Sequence, residues 1–204
     1  MTRLENGIWE IFLPVEEFSH RFVHQSRVKV LVHGNNGWHE RIPVYIRRIV
    51  QDPNTKDFAG ELWFPEKTFD WQGDSFRLNP TKPPLIYECH TGMAQEEPRI
   101  GTYREFADNI LPYIKKCGYT LIQVMAVAEH PDYGSFGDHV SNFFAPASKF
   151  GNPEDLKYLI REAHLREIGV IMDVVHSHTV KNYNERRNDF DGEDGLYTHS
   201  GPRG

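Results

Sequence analysis

Residues 150–178 read FGNPEDLKYLIREAHLREIGVIMDVVHSH, and this stretch constrains the fold more tightly than any other. Asn152 is placed to cap a helix, Pro153 suits its first position, and Glu154 and Asp155 favour the positive end of the helix dipole. Leu156, Leu159, Ile160 and Ala163 recur at helical spacing, and Gly169 supplies a stop. The run Val170 to Val175 is apolar except for Asp173, so it reads as a strand buried on both faces, as in a parallel sheet covered by helices. A carboxylate inside such a run needs a partner or a task. The arrangement delivers Asp173, His176 and His178 to the C-terminal end of one strand.

The pattern of the chain changes near Pro80. Before it come short strand-like runs at Ile8–Leu13, Val28–His33, Val44–Val50 and Glu61–Phe64, with turn signals such as Asn35-Asn36-Gly37 between them. A small β-sandwich is predicted there. All four tryptophans, Trp9, Trp38, Trp63 and Trp71, fall in this part. Core or seam packing is expected for each, with Trp38 the best candidate for an exposed sugar platform because it follows a turn. After Pro80-Thr81-Lys82-Pro83-Pro84 the order is strand, helix, strand, long loop, helix, strand, which is a βαβαβ unit. Its strands are predicted at Leu85–Cys89, Tyr119–Val127 and Val170–Val175. Thr102 and Glu105 form a capping box for the first helix, and Pro112 is expected to kink it.

A formal charge of −6 with no clustered basic face argues against nucleic acid as a partner. No run is long enough to cross a bilayer and the start MTRLENGIWEIFLP lacks a signal-peptide core, so no membrane role and a cytoplasmic location are expected. Cys89 and Cys117 read as ordinary buried thiols.

Five ordered segments carry a more specific signal: YECHTGM at 87–93, IGTYREFADNILPYIKKCGYTLIQVMAVAEH at 100–130, YGSFGDHVSNFFAPASKFGNPEDLK at 133–157, DVVHSH at 173–178 and the closing HSGPRG. Together they resemble the front part of the α-glucan branching enzymes of the α-amylase family, over about residues 6–204. The resemblance implies a partial glucan-binding-type β-sandwich over 1–82 and, over 83–204, the first three strands of an incomplete (β/α)8 TIM barrel, whose site lies at the strands' C-terminal ends. It implies α-glucan (glycogen, amylose, amylopectin) as partner and a retaining transfer that makes α-1,6 branches.

By the same resemblance, Asp173 and His178 line the subsite of the sugar whose bond is broken, and His176 supports His178 or touches glucan. Asp138 stands where the family carries a tyrosine that stacks on that sugar. An aspartate offers no such face, so Phe136 or His139 would have to compensate. The family's nucleophile and acid/base carboxylates fall on later strands, so no residue of 1–204 is assigned a catalytic role, and this polypeptide is expected to be inactive alone. Ser177 stands where many relatives carry a calcium-ligating asparagine, so neither metal nor cofactor is expected. Glu129 and Asp132 are read as loop charges.

Two other classes fit parts of the pattern. His176-Ser177-His178 is an H-x-H pair of the kind that holds zinc in metal-dependent hydrolases, although it follows the third strand and not the first. A non-catalytic glucan- or partner-binding remnant is the other. A three-stranded partial barrel would also leave outer strands unpaired, so self-association through strand edges is expected.

Overall fold

The parallel strands form because each is a short β-branched or apolar run with a covering helix beside it in sequence. In the computed structural model, which describes residues 1–180, twelve strands and four α-helices are present among the described residues. The HSGPRG stretch at 199–204 lies outside them.

The first 61 residues hold three small antiparallel sheets. β1 (Thr2–Arg3) pairs with β2 (Trp9–Glu10), followed by the short helix α1 (Val15–Phe18). β3 (Arg27–Val28) is separated from its own sheet by the hairpin of β4 (Val30–Gly34) and β5 (Gly37–Arg41). β6 (Ile49–Gln51) and β7 (Phe58–Glu61) complete the third sheet, in the order β3-β7-β6. The hairpin alternates exposed and half-buried residues, so Leu31, His33, Trp38 and Glu40 share its open face.

The later part is a parallel sheet of β8 (Ile86–His90), β9 (Leu121–Met125) and β12 (Gly169–Met172), with β9 in the middle. β8 has the expected length, displaced by one residue, while β9 and β12 are shorter than the runs expected for them. β12 is also not covered on both faces as the sequence suggested: Ile171, Met172 and Val174 are 36%, 52% and 46% exposed. It pairs with β9 alone, so its other edge has no covering neighbour among the described residues. Leu85, Ile86 and Tyr87 are exposed at the opposite edge in the same way.

Between β8 and β9 the chain is helical from α2 (Tyr103–Glu105) to α3 (Leu111–Lys116). The capping box is present, with Glu105 N donating to Thr102 Oγ1 and Thr102 N donating to Glu105 Oε2. Just before Pro112, residues Phe106–Ile110 form a π-helical turn. Proline has no N–H and its ring collides with the carbonyl four residues back, so the wider turn placed just before it accommodates the ring. The loop after β9 contains the antiparallel pair β10 (Ala128–Glu129) and β11 (Asn142–Pro146).

Helix α4 (Pro153–Leu165) then returns under the Asn152/Asp155 capping box. It also anchors the N-terminal part. Trp63 Nε1 donates to the Glu154 carboxylate, Arg161 donates to the Asp70 carbonyl at 3.0 Å, and Phe76 stacks on His164 at 4.6 Å. Arg48 joins the seam, paired with Glu61 at 2.9 Å and donating to the Gly151 carbonyl at 3.0 Å. Trp63 is thus a seam residue, as expected, whereas Trp9, Trp38 and Trp71 are 60%, 65% and 37% exposed and fill no core. Cys89 is buried, but Cys117 is exposed at the helix end.

The main core gathers Tyr103, Phe106, Leu111, Ile122, Val124, Phe150, Leu159 and Ile168. Phe150 is fully buried and touches the rings of Tyr103, His90, His130 and Tyr133. Phe150→Ala is expected to lower the unfolding free energy by about 3–5 kcal/mol, because the surrounding rings cannot all collapse into the space. Urea unfolding checks this; a loss below about 1 kcal/mol would show that the ring does not organise this core.

Candidate functional site at the strand ends

Three parallel strands end at one edge of their sheet, so the segments after them meet there. The backbone of Asp173 continues the ladder of β12, its N–H donating to the Val124 carbonyl at 3.1 Å. Val140 runs parallel to Thr179, with Val140 N–H to His178 O at 3.3 Å and Val180 N–H to Val140 O at 3.2 Å. The loop after β9 is therefore bound to the segment after β12.

A pocket opens between them, with Met125, Phe136, Gly137, Asp138, Val140, Asp173 and Val175 in its wall. Gly137 makes this possible. Its φ is +89°, and a Cβ there would lie 2.4 Å from Ala126 Cα, so only glycine lets the loop fold this closely onto the end of β9.

Two of the four sequence-predicted binding residues, Asp138 and Asp173, meet in this pocket. The cleft is small, and Asp138 is exposed and Asp173 half-buried, so both side chains are reached by solvent. Phe136, 47% exposed, is the aromatic ring in this wall, while His139 is not among the lining residues. His176 and His178 do not line the pocket. The His176 ring packs edge-on against Phe143 at 5.0 Å, and His178 Nδ1 shares a 2.8 Å hydrogen bond with Ser177 Oγ. The two histidines of the H-x-H pair thus engage different neighbours. Among the described residues, no group of three or more His, Cys, Asp or Glu side chains is placed to hold a metal ion.

The reading of Glu129 as a loop charge is wrong. It is fully buried, accepting from His130 N–H at 3.1 Å and from Ser148 N–H at 2.8 Å, while its own carbonyl takes the Ser141 N–H at 2.8 Å. Burial raises its pKa to about 7 despite the donors from Ser148 and the nearby Lys149 ammonium. Asp132, by contrast, is an exposed loop residue, accepting from Gly134 N–H at 2.9 Å.

Beside Glu129 lie two further residues that the sequence did not single out. His90 ends β8 and His130 follows Glu129; they are 8% and 0% exposed, and burial lowers the pKa of each. Their signal in the sequence is an acid and two histidines directly flanked by apolar strand residues.

The folded state holds the Glu129 proton more tightly than the unfolded chain does. Stability from this group is therefore gained as pH falls through about 7 and is complete below the ordinary value of 4.5. In Glu129→Gln the titration is absent, so the stability of the unmodified chain relative to this variant should rise between pH 8 and pH 5. Urea midpoints of both proteins at the two pH values test this, and a constant difference would refute it.

Comparison with known proteins agrees with the geometry. A family model described as the alpha amylase catalytic domain matches residues 92–197. The chain is 46% identical over 205 residues to the 1,4-alpha-glucan-branching enzyme 2-2, chloroplastic/amyloplastic, of Arabidopsis thaliana, covering all of this chain and 26% of that protein. It is 44% identical over 208 residues to the 1,4-alpha-glucan-branching enzyme of Dictyostelium discoideum, again over its full length and 30% of the relative. The chain thus spans about a quarter to three tenths of the length of these curated relatives. A solved structure of a putative alpha amylase from Salmonella typhimurium superposes with a TM-score of 0.60 at 26% identity, over 74% of this chain and 24% of that one. Pullulanase from Bacillus acidopullulyticus shares the fold, with a TM-score of 0.61 at 23% identity over 76% of this chain and 23% of its own. With a catalytic-domain model matching more than half of its residues, the chain belongs to the α-amylase family.

Proposed function

We propose that this chain forms the sugar-positioning part of a 1,4-α-glucan branching site, with residues 1–82 as part of a glucan-binding-type sandwich and 83–204 as the opening strands of the barrel. The observation that carries the reading is the small cleft at the ends of the parallel strands, where Asp173, just past β12, and Asp138 from the preceding long loop are both lining residues. Carboxylates arranged this way accept from sugar hydroxyls, and Phe136 supplies an apolar face beside them.

The reaction proposed for the complete site is retaining transfer. One carboxylate attacks the anomeric carbon, another protonates the leaving oxygen, and a glucan 6-hydroxyl then displaces the enzyme to give an α-1,6 branch. Neither role falls to Asp173 or Asp138 in this reading. Glu129 is equally unsuited, since both its oxygens are turned to backbone N–H groups inside the protein. Residues 1–204 would bind and orient glucan without transferring it.

The second reading, a glucan-binding remnant, is favoured by one observation. Asp138 occupies the pocket wall with a charged, hydrated side chain where the resemblance calls for a stacking ring.

Calorimetric titration of residues 1–204 with maltoheptaose should give binding that Asp173→Ala weakens by about tenfold, or ~1.4 kcal/mol. Equal affinity in the variant would remove Asp173 from the site. Amylose incubated with the same polypeptide should gain no α-1,6 linkages; their appearance by proton NMR would place a catalytic pair within these residues.

A further inference from the structure

The loop that carries Phe136 and Asp138 is fastened to the sheet by an aromatic cluster with titratable groups at its centre. The His90 ring lies edge-to-face with Tyr133 at 5.6 Å, Phe136 at 6.0 Å and Phe150 at 5.5 Å, with interplanar angles of 87°, 87° and 76°. It therefore joins the end of β8 to both ends of the loop in one contact set. Among the described residues neither of its ring nitrogens has a hydrogen-bond partner, and the same holds for Nε2 of His130, whose Nδ1 lies 2.9 Å from the Ala128 carbonyl oxygen. The two imidazoles and Phe150 are mutual neighbours, the His130 ring lying 5.8 Å from Phe150.

We propose that His90 is the switch of a pH-sensitive latch: the neutral imidazole seats Tyr133 and Phe136, and its protonation releases the loop from the strand ends, opening the pocket wall that bears Asp138. The neutral ring suits this box of aromatic edges and faces. A proton on it places a charge in a space 8% exposed, with no carboxylate oxygen bonded to it.

The charged neighbours reinforce the effect. His130 adds like charge near His90 when it too is protonated, and the Lys149 ammonium, held on the His130 and Pro131 carbonyls at 3.0 and 2.8 Å, disfavours a proton on His130. Asp132, exposed to solvent, acts in the opposite sense on His130, while Glu129 is engaged with Ser148 and takes up a proton as the pH falls. Burial lowers the pKa of His90, so the folded loop holds fewer protons there than the released loop. Release is thus favoured as pH falls below the ordinary histidine value of 6.5.

The inference concerns the site assigned to glucan above, but its test needs no glucan. Amide hydrogen exchange of the 1–204 chain, corrected for intrinsic rates, should show residues 132–139 losing protection by up to about tenfold per pH unit below 6.5, while the amides of β9 and β10 stay protected. His90→Phe fills the same box without titrating and should keep the loop protected at acid pH. Unchanged loop protection in the unmodified chain, or equal loss in His90→Phe, would overturn the latch. Should that variant not fold, 13C-labelled histidine in the unmodified chain decides: a His90 midpoint below 6.5 that coincides with loop release supports it, and one at or above 6.5 overturns it. Maltoheptaose titration at neutral pH reports separately on the glucan reading, which can fail while the latch stands.

Discussion

The strand-end architecture depends on one buried carboxylate. Glu129 bonds both to the start of its own loop and to Ser148 near the loop's far end, so a segment of irregular chain is closed on itself beneath the pocket. Buried backbone donors must be satisfied, and here a side chain does what a sheet ladder would do elsewhere. Phe150 fills the space behind it and Gly137 admits the close return over Ala126. Remove the carboxylate and two N–H groups in a dry interior lose their acceptor together.

A second dependence runs through helix α4. Its inner face completes the main core with Leu159 and Ala163, while its outer face receives Trp63, Asp70, Asp74 and Phe76 from the N-terminal part. The small cluster of Ile46, Ile49 and Phe58 is likewise closed by Ala145, which belongs to β11. The antiparallel sheets and the parallel sheet therefore meet on shared residues. The Asn142 amide, donating to the Val44 carbonyl at 3.0 Å, continues that contact to the base of the loop.

Local features were legible in the sequence. The capping box at Thr102, the N-cap at Asn152 and the alternation of strands with helices follow from residue type and spacing, because capping and periodicity act within a few residues. The exposure of the tryptophans was not legible, since it depends on which sheet faces find a cover. The lengths of β9 and β12 were overestimated for the same reason: apolar character persists past the point where hydrogen-bonded pairing ends. Glu129 and His130 adjoin in sequence, whereas His90 reaches the same neighbourhood, against Phe150, only through the pairing of β8 with β9. His176 and His178 were expected beside Asp173, yet a turn at Ser177 directs them to other neighbours.

The π-helical turn at Phe106–Ile110 has a consequence for how the helix face is registered. A π turn accommodates one more residue than an α turn in nearly the same span, so it absorbs a residue without rotating the flanking turns. Phe106 on one side and Leu111 and Ile114 on the other can then point into a single core although their spacing is not strictly that of an α-helix. A chain shorter by one residue here could wind as unbroken α-helix, but Pro112 would then meet the carbonyl that the wider turn now moves aside. The proline and the extra residue are thus a matched pair, and a change in the length of this helix would be tolerated only together with a change of residue 112.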